Sequence, residues 1–423
     1  MDKKYILMDE VIHHKKLANG LNVYIHPKPK FIQTFASLYV NFGGRDFTYR
    51  IEEEDFTLPK GTAHFLEHML FENNDELLSG VFLDNNADLN AFTSRRLTSY
   101  YFSTKNNFSL LLDKLLDNFI DFNFSEKTIK KEAKIISQEL SMNDDSDSTK
   151  AYKSLVRLMY KDSSIYEDIG GTKTSIKEIN QEVLSQAVNH FYHPENMMLL
   201  VSGNVKPEEV ITQLESHNFM KKEWPAFKSI KRMTDLSDKT IHRKKKFDKK
   251  LETNLVEVGI KVPESLFIDN PQKHYMLIDP FLEMMFNPAS KLYKVLKKKN
   301  LYNHSLTVSP VYDGDYSFIN ISMETKKSKS FIKTILELIQ ELPTITFSEK
   351  YFLAYLRAEI GRSIKSFDDV KDSHSLIESL LIMEIDIANY FSLKREITLE
   401  DFRPYQEIFK KENIYIVEYL KRP

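Results

Sequence analysis

Hydrophobic positions along this chain change their spacing from segment to segment, and the changes separate sheet from helix. After the turn pair Asn19-Gly20, the residues Leu21, Val23 and Ile25 alternate with polar ones through LANGLNVYIHPKP (17–29), the period of a half-buried strand. A second strand is predicted over FASLYVNFGG (35–44) and stops at Gly43-Gly44; after a polar stretch, Pro59 and Thr62 introduce a helical pattern that runs to Phe71. The segment DLNAFTSRRLTSYYFST (88–104), rich in β-branched and aromatic residues, predicts one or two strands. Helical spacing then dominates from about residue 107 to 193, and Met197–Gly203 reads as a short buried strand.

Beyond it lie Trp224-Pro225 and the basic run HRKKKFDKK (242–250), where a domain boundary is expected. Residues 1–225 are expected to form one domain, 226–250 a solvated basic linker and 251–423 a second domain. From Leu251 the pattern restarts: LVEVGIKVP (255–263) predicts a strand that reads as a second copy of the opening one. The halves also end alike. Residues 179–203 give a polar-capped helix, a gap and an apolar strand, and 397–417 give the same order with an Asn before the strand. This self-similarity predicts an α+β protein made of two homologous domains by internal duplication.

Length agrees, since 423 residues exceed the roughly 250–300 at which single cores stop growing. With 28% charged residues, 11 Gly and 14 Pro, disordered and collagen-like classes are excluded. A formal net charge of −2 gives no global field for nucleic acid, and no aromatic platform or glycine-rich motif frames the basic run, so no nucleic-acid partner is expected. The absence of cysteine excludes disulfides, a thiolate nucleophile and thiolate metal sites; any metal must be held by His and carboxylate. Tyr5, Ile6 and Leu7 are too short an apolar run for an export signal, and the longest apolar stretches are strand-sized, so a cytoplasmic protein without a membrane span is expected.

One stretch carries chemistry, His64-Phe65-Leu66-Glu67-His68. Residues i and i+4 share a helical face, so both imidazoles can converge on one ion with Glu67 on the adjacent flank. Catalytic zinc takes three protein ligands and keeps a position open for water, with a carboxylate nearby to accept the proton. About 0.05 such pentapeptides are expected by chance from this composition, so the motif is moderately specific against two histidines that merely share an amphipathic helix.

A third ligand is available from SEKTIKKEAKIISQELSM (125–142), with Ser125 as N-cap and Ile129, Ala133, Ile136 and Leu140 as its buried stripe. Glu132 and Glu139, seven residues apart, flank that stripe, whereas Lys127, Lys130, Lys131 and Lys134 fall on the solvated side. Acids beside a core stripe are unusual unless paired or metal-bound. Either of the two can ligate, the other orienting a ligating His.

His-x-x-Glu-His is the inverted-zincin order. With GTAHFLEHMLFE (61–72), NAFTS (90–94), KEAKIISQELSM (131–142) and FYHPENMMLLVSG (191–203), the chain closely resembles the pitrilysin/insulinase metallopeptidases over at least residues 17–203, and more weakly beyond. The resemblance implies two α/β-roll-type domains forming half of a clam-shell chamber, and one zinc ion per chain held by His64, His68 and Glu139. It also implies Glu67 as general base and Glu132 as the carboxylate behind a ligating His. NAFTS resembles the family's substrate-binding edge strand, which makes Asn90 and Ala91 the positions facing an extended peptide; an ordinary strand start is the plainer reading. Catalytically complete members carry an Arg and a Tyr in the C-terminal half, and here the matching stretch LKKKNLYN (296–303) places Lys297 and Asn303 at those positions, with Tyr302 one place early. Lys lacks the planar guanidinium fork. An intact zinc motif beside a degraded Arg/Tyr motif is the pattern of a zinc-bearing chain in a heterodimer whose partner, similar in size, carries the pair. The resemblance therefore implies an endopeptidase for small extended peptides, such as leader-bearing bacteriocin or pheromone precursors. The alternative is a non-catalytic binding or structural subunit of the same fold.

Overall fold

The computed structural model describes residues 3–7, 9–71, 78–160, 164–232, 243–248, 251–288 and 290–421. Its strands are β1 (Lys3–Leu7), β2 (Glu10–Lys16), β3 (Asn22–Pro27), β4 (Thr34–Val40), β5 (Thr48–Ile51), β6 (Glu54–Thr57), β7 (Asp88–Thr93), β8 (Thr98–Thr104), β9 (Met197–Gly203), β10 (Ile230–Arg232), β11 (Arg243–Asp248), β12 (Leu255–Lys261), β13 (Thr307–Tyr312), β14 (Ser317–Glu324) and β15 (Ile414–Lys421). The predicted strands at 17–29, 35–44, 88–104, 197–203 and 255–263 all appear, the third of them as the hairpin β7–β8.

Two large sheets organise the chain, ordered β1-β2-β3-β9-β4-β8-β7 and β11-β15-β12-β14-β13, and a small one is ordered β10-β5-β6. Within the first, β3 and β9 run parallel, and β9–β4, β4–β8 and β8–β7 run antiparallel. The second repeats this series: β11–β15 parallel, then β15–β12, β12–β14 and β14–β13 antiparallel. The duplication is therefore topological. It also corrects two expectations. Residues 255–261 are the counterpart of β4, not of the opening strand. The true copy of opening strand β3 is Arg243–Asp248, inside the stretch 226–250 expected to be a linker, which also contains β10; residues 233–242, 249 and 250 lie outside the described residues.

The charges of that run have a structural use. Strand β11 is the outer strand of its sheet, where lysines discourage further pairing. The Glu418 carboxylate, fully buried on β15, accepts from Arg243 Nη2 at 2.7 Å and lies 3.5 Å from Lys245 Nζ.

Four helices matter for the site: α1 (Thr62–Phe71), α2 (Glu126–Asp145), α3 (Asp147–Met159) and α4 (Val370–Ile382). Helix α3 leaves its own half and packs on β12 and β15, where Leu155, Val156 and Met159 join Leu255, Phe318, Val417 and Tyr419 in one core. Met159 Sδ lies only 2.4 Å from where a Cβ at Gly259 would sit, so the missing side chain admits it. Helix α4 does the reverse and covers β4 and β9. Its His374 is fully enclosed between Ser37 Oγ on β4 (2.8 Å from Nε2) and Ser202 Oγ on β9 (2.9 Å from Nδ1). Each half thus lends a helix to the other's sheet, which fixes the two halves against each other.

Burial holds the His374 imidazole down to about 3, so it is neutral in the fold and protonates near 6.5 once unfolded. The unfolded chain binds the extra proton between those values, so this contribution is complete above pH 6.5 and is lost as pH falls towards 3. His374→Leu is expected to cost about 1–3 kcal/mol at neutral pH by stranding two buried hydroxyls, and to flatten the acid slope. Urea unfolding at pH 7 and pH 5 measures both; an unchanged midpoint at pH 7 would remove His374 from the interface argument.

Candidate metal centre

The turn before α1 is a close-packed start. Thr62 N and Oγ1 both donate to Pro59 O, and Gly171, at φ +76°, approaches so near that a Cβ on it would lie 2.2 Å from Lys60 O. Along α1, Phe65, Leu66, Met69 and Leu70 are buried, which turns His64, Glu67 and His68 to the opposite face. Helix α2 begins at Ser125, whose Oγ accepts from Thr128 N at 3.1 Å. Ile129, Ile136 and Leu140 are buried and Ala133 packs against the same core, so the predicted stripe exists and Lys127, Lys130, Lys131 and Lys134 are exposed.

Packing of α1 on α2 brings the expected residues together. Glu139 Oε2 lies 3.8 Å from His64 Nε2 and 3.7 Å from His68 Nε2, and one donor atom from each residue lies within 4.8 Å of the other two. These separations are beyond hydrogen-bond reach and near the roughly 3.4 Å edge of a tetrahedron of zinc-ligand radius. His68 Nδ1 is 3.2 Å from Glu132 Oε2. A carboxylate only accepts, so Nδ1 carries the proton and Nε2 keeps its lone pair for the cluster. Glu132 is 3% exposed, consistent with a carboxylate that orients, whereas the more open Glu139 side chain faces both imidazoles. Burial, then the neighbouring His68, lowers the His64 pKa and keeps its ring neutral. Two imidazoles with one carboxylate are a donor set of catalytic zinc, so these residues fit that ion.

Glu67 is held next to the cluster. Burial raises its pKa, opposed by a hydrogen bond from Thr93 and by His68. Thr93 Oγ1 donates to Glu67 Oε2 at 2.5 Å. Thr93 ends β7, the last strand of its sheet, whose outer edge has no strand partner among the described residues. Along β7 the exposed positions are Asp88, Asn90 and Phe92, and the Asn90 side chain accepts from Ala91 N at 2.8 Å, so the open edge is partly self-capped. Thr93 was not singled out in the sequence, though its place in NAFTS, in phase with Leu89 and Ala91 on the inward face, was the available signal.

Lys297 and Asn303 stand apart from this cluster. Lys297 is exposed in the last turn of a helix (Lys291–Lys298), and Asn303 is consumed locally: Nδ2 donates to Glu324 O at 3.0 Å, and Oδ1 accepts from Ser305 N at 2.7 Å. Tyr302 packs edge-on against Tyr293 at 4.5 Å between ring centroids and lines a cavity with Asp279, Glu283 and Glu359. Among the described residues no helix is long and apolar enough to cross a membrane.

Residues 49–173 match the family described as Insulinase (Peptidase family M16), and residues 178–358 match the Peptidase M16 inactive domain. An uncharacterised zinc protease of Bacillus subtilis, YmfH, is 30% identical over 407 residues, covering 94% of each chain. A probable mitochondrial-processing peptidase subunit beta of Arabidopsis thaliana is 29% identical over 204 residues, 47% of this chain and 37% of the relative. A putative M16-like peptidase from Alicyclobacillus acidocaldarius superposes with TM-score 0.90 over 99% of this chain and 100% of its own; at 24% identity, that likeness speaks for the two-domain fold.

Proposed function

The chain belongs to the insulinase family, peptidase family M16, and on that premise we propose that it is a zinc-dependent endopeptidase acting on small extended peptides. The observation that carries this reading is the convergence of His64, His68 and Glu139 around one point, with Glu67 beside it. His64, His68 and Glu139 would hold the zinc, which when bound would supply a Lewis acid for the scissile carbonyl and lower the pKa of a water. Glu67 Oε2 is engaged by Thr93, which leaves Oε1 to take the proton of the attacking water and return it to the leaving amine. Strand β7 offers its outer edge to the substrate backbone, which restricts substrates to extended segments, and Asn90 with Ala91 borders that edge.

Two finer statements belong to the same proposal. Lys297 and Asn303 hold no Arg/Tyr pair, and a relative is named as the subunit of a processing peptidase, which supports a heterodimer whose partner supplies the pair. Leader-bearing precursor peptides in the cytoplasm are the substrate class in view. The second reading, a non-catalytic peptide-binding subunit, draws on the match to the inactive domain over residues 178–358.

Metal removal separates the readings. The zinc-loaded chain is assayed with and without a co-expressed homologous partner; the pair is expected to cleave quenched-fluorescent peptides well above the single chain, to lose at least about 10²-fold of that rate on chelation, and to regain it with stoichiometric zinc. Binding of the same peptides without turnover in either sample would favour the non-catalytic subunit. Full activity of the single chain would sink the heterodimer.

A further inference from the structure

We infer that Asp313 and Arg95 form a positioning pair through which the C-terminal half, which supplies none of the clustered donor atoms, sets the placement of Glu67 and His64; the inference rests on the peptidase reading above. The turn Tyr312-Asp313-Gly314-Asp315-Tyr316 between β13 and β14 carries two carboxylates into a receptor of three arginines from the N-terminal half. Arg45 follows β4, and Arg95 and Arg96 form the tip of the β7–β8 hairpin. Asp313 Oδ2 accepts from Arg95 Nε at 3.1 Å, and Asp315 accepts from Arg45 Nη1. Gly314, at φ +74°, brings its backbone against the Arg96 guanidinium, where a Cβ would lie 3.2 Å from Nη1. The Arg95 and Asp313 side chains are only 13% and 15% exposed, so solvent does little to screen them.

Arg95 joins three segments at once. Its Nη1 also donates to Ile165 O at 2.9 Å and Glu167 O at 3.3 Å. Its own backbone carbonyl accepts from Arg45 N at 3.0 Å, and Ser94 O accepts from Gly44 N at 2.9 Å, so the hairpin tip is fixed at both sides. From that tip one path is short: Thr93, two residues earlier, holds Glu67. The other path runs through residues 165–171. Glu167 ion-pairs with Lys60 at the approach to α1, Ser175 Oγ donates to Lys60 O at 2.7 Å, and Gly170 lies so close to the motif that a Cβ there would be 3.6 Å from His64 Nδ1. Asp313→Asn takes away the carboxylate to which Arg95 Nε donates, so the guanidinium, still donating to Ile165 O and Glu167 O, would shift and carry both paths with it. A displacement of about 1 Å at reacting groups is enough to cost on the order of 10²-fold in rate.

The test uses the zinc-loaded full chain with Asp313→Asn, and with Arg95→Lys as the variant that keeps the charge but not the fork. Hydrogen exchange read by mass spectrometry is expected to rise about 10-fold or more at residues 93–97 and 165–171 in both variants, with zinc stoichiometry unchanged. In turnover with the homologous partner present, kcat is expected to fall about 10-fold with KM within about 3-fold, and Thr93→Val combined with Asp313→Asn should lose clearly less than the product of the two single losses, because the path through Thr93 is already broken while that through residues 165–171 is not. Faster exchange confined to residues 312–316, or losses that add fully in the double variant, would overturn the pair's role. If zinc-loaded wild type cleaves nothing even with its homologous partner added, the peptidase reading fails, and the exchange measurement still decides whether Asp313 orders the two segments.

Discussion

Glu67→Gln is expected to lower kcat by about 10²–10⁴-fold while leaving zinc content and folding unchanged. The substitution is nearly isosteric. Thr93 can still donate to the carboxamide oxygen, so the hairpin end that bears on residue 67 keeps its place. What disappears is the proton acceptor at Oε1, and neither neighbouring carboxylate among the described residues offers the same position: Glu139 Oε2 is turned to the two imidazoles and Glu132 Oε2 to His68 Nδ1. Steady-state cleavage of a fluorogenic peptide beside elemental zinc analysis reads the two quantities separately. Persistence of turnover in the zinc-replete variant would mean that another group takes the proton.

His64→Ala is expected to lose stoichiometric zinc outright, because it deletes one of three donors whose atoms all lie within 4.8 Å of one another. Glu132→Gln should behave differently. It keeps all three donors but replaces the acceptor at His68 Nδ1, and such outer partners are typically worth about 10–100-fold in metal affinity. Competition with a chromophoric chelator at fixed pH orders the series as wild type, Glu132→Gln, His64→Ala. If His64→Ala retained one zinc per chain, the ion would have to be held elsewhere and the site as drawn would be wrong. If Glu132→Gln equalled His64→Ala, Glu132 would have to be counted among the ligands.

Much of this site was legible along the chain because its parts are local and periodic. The spacing of residues 64, 67 and 68 follows from helical geometry once Phe65, Leu66, Met69 and Leu70 point to the core. The same holds for the stripe of α2, where Ser125 caps the helix and the four lysines face solvent. The halves' similar endings were readable for the same reason, since β9 and β15 are each preceded by their own helices and by an Asn. The run 242–250 misled because its charge resembles a linker, while its pairing partner β15 lies some 170 residues further on and leaves no local trace.

By itself, then, the sequence determined the donor types, which the lack of cysteine restricts to His and carboxylate, and the faces on which they stand. Helical spacing left Glu132 and Glu139 equivalent, as both flank one stripe, and only the resemblance told them apart. The docking of α1 on α2 gives the physical difference, by turning one carboxylate to both Nε2 atoms and burying the other behind His68. Tertiary structure alone also decided that a turn at residues 312–316 reaches Arg95. Helical and strand periods express each segment's relation to its own core, whereas contacts between the halves depend on how finished layers pack and carry no period to read.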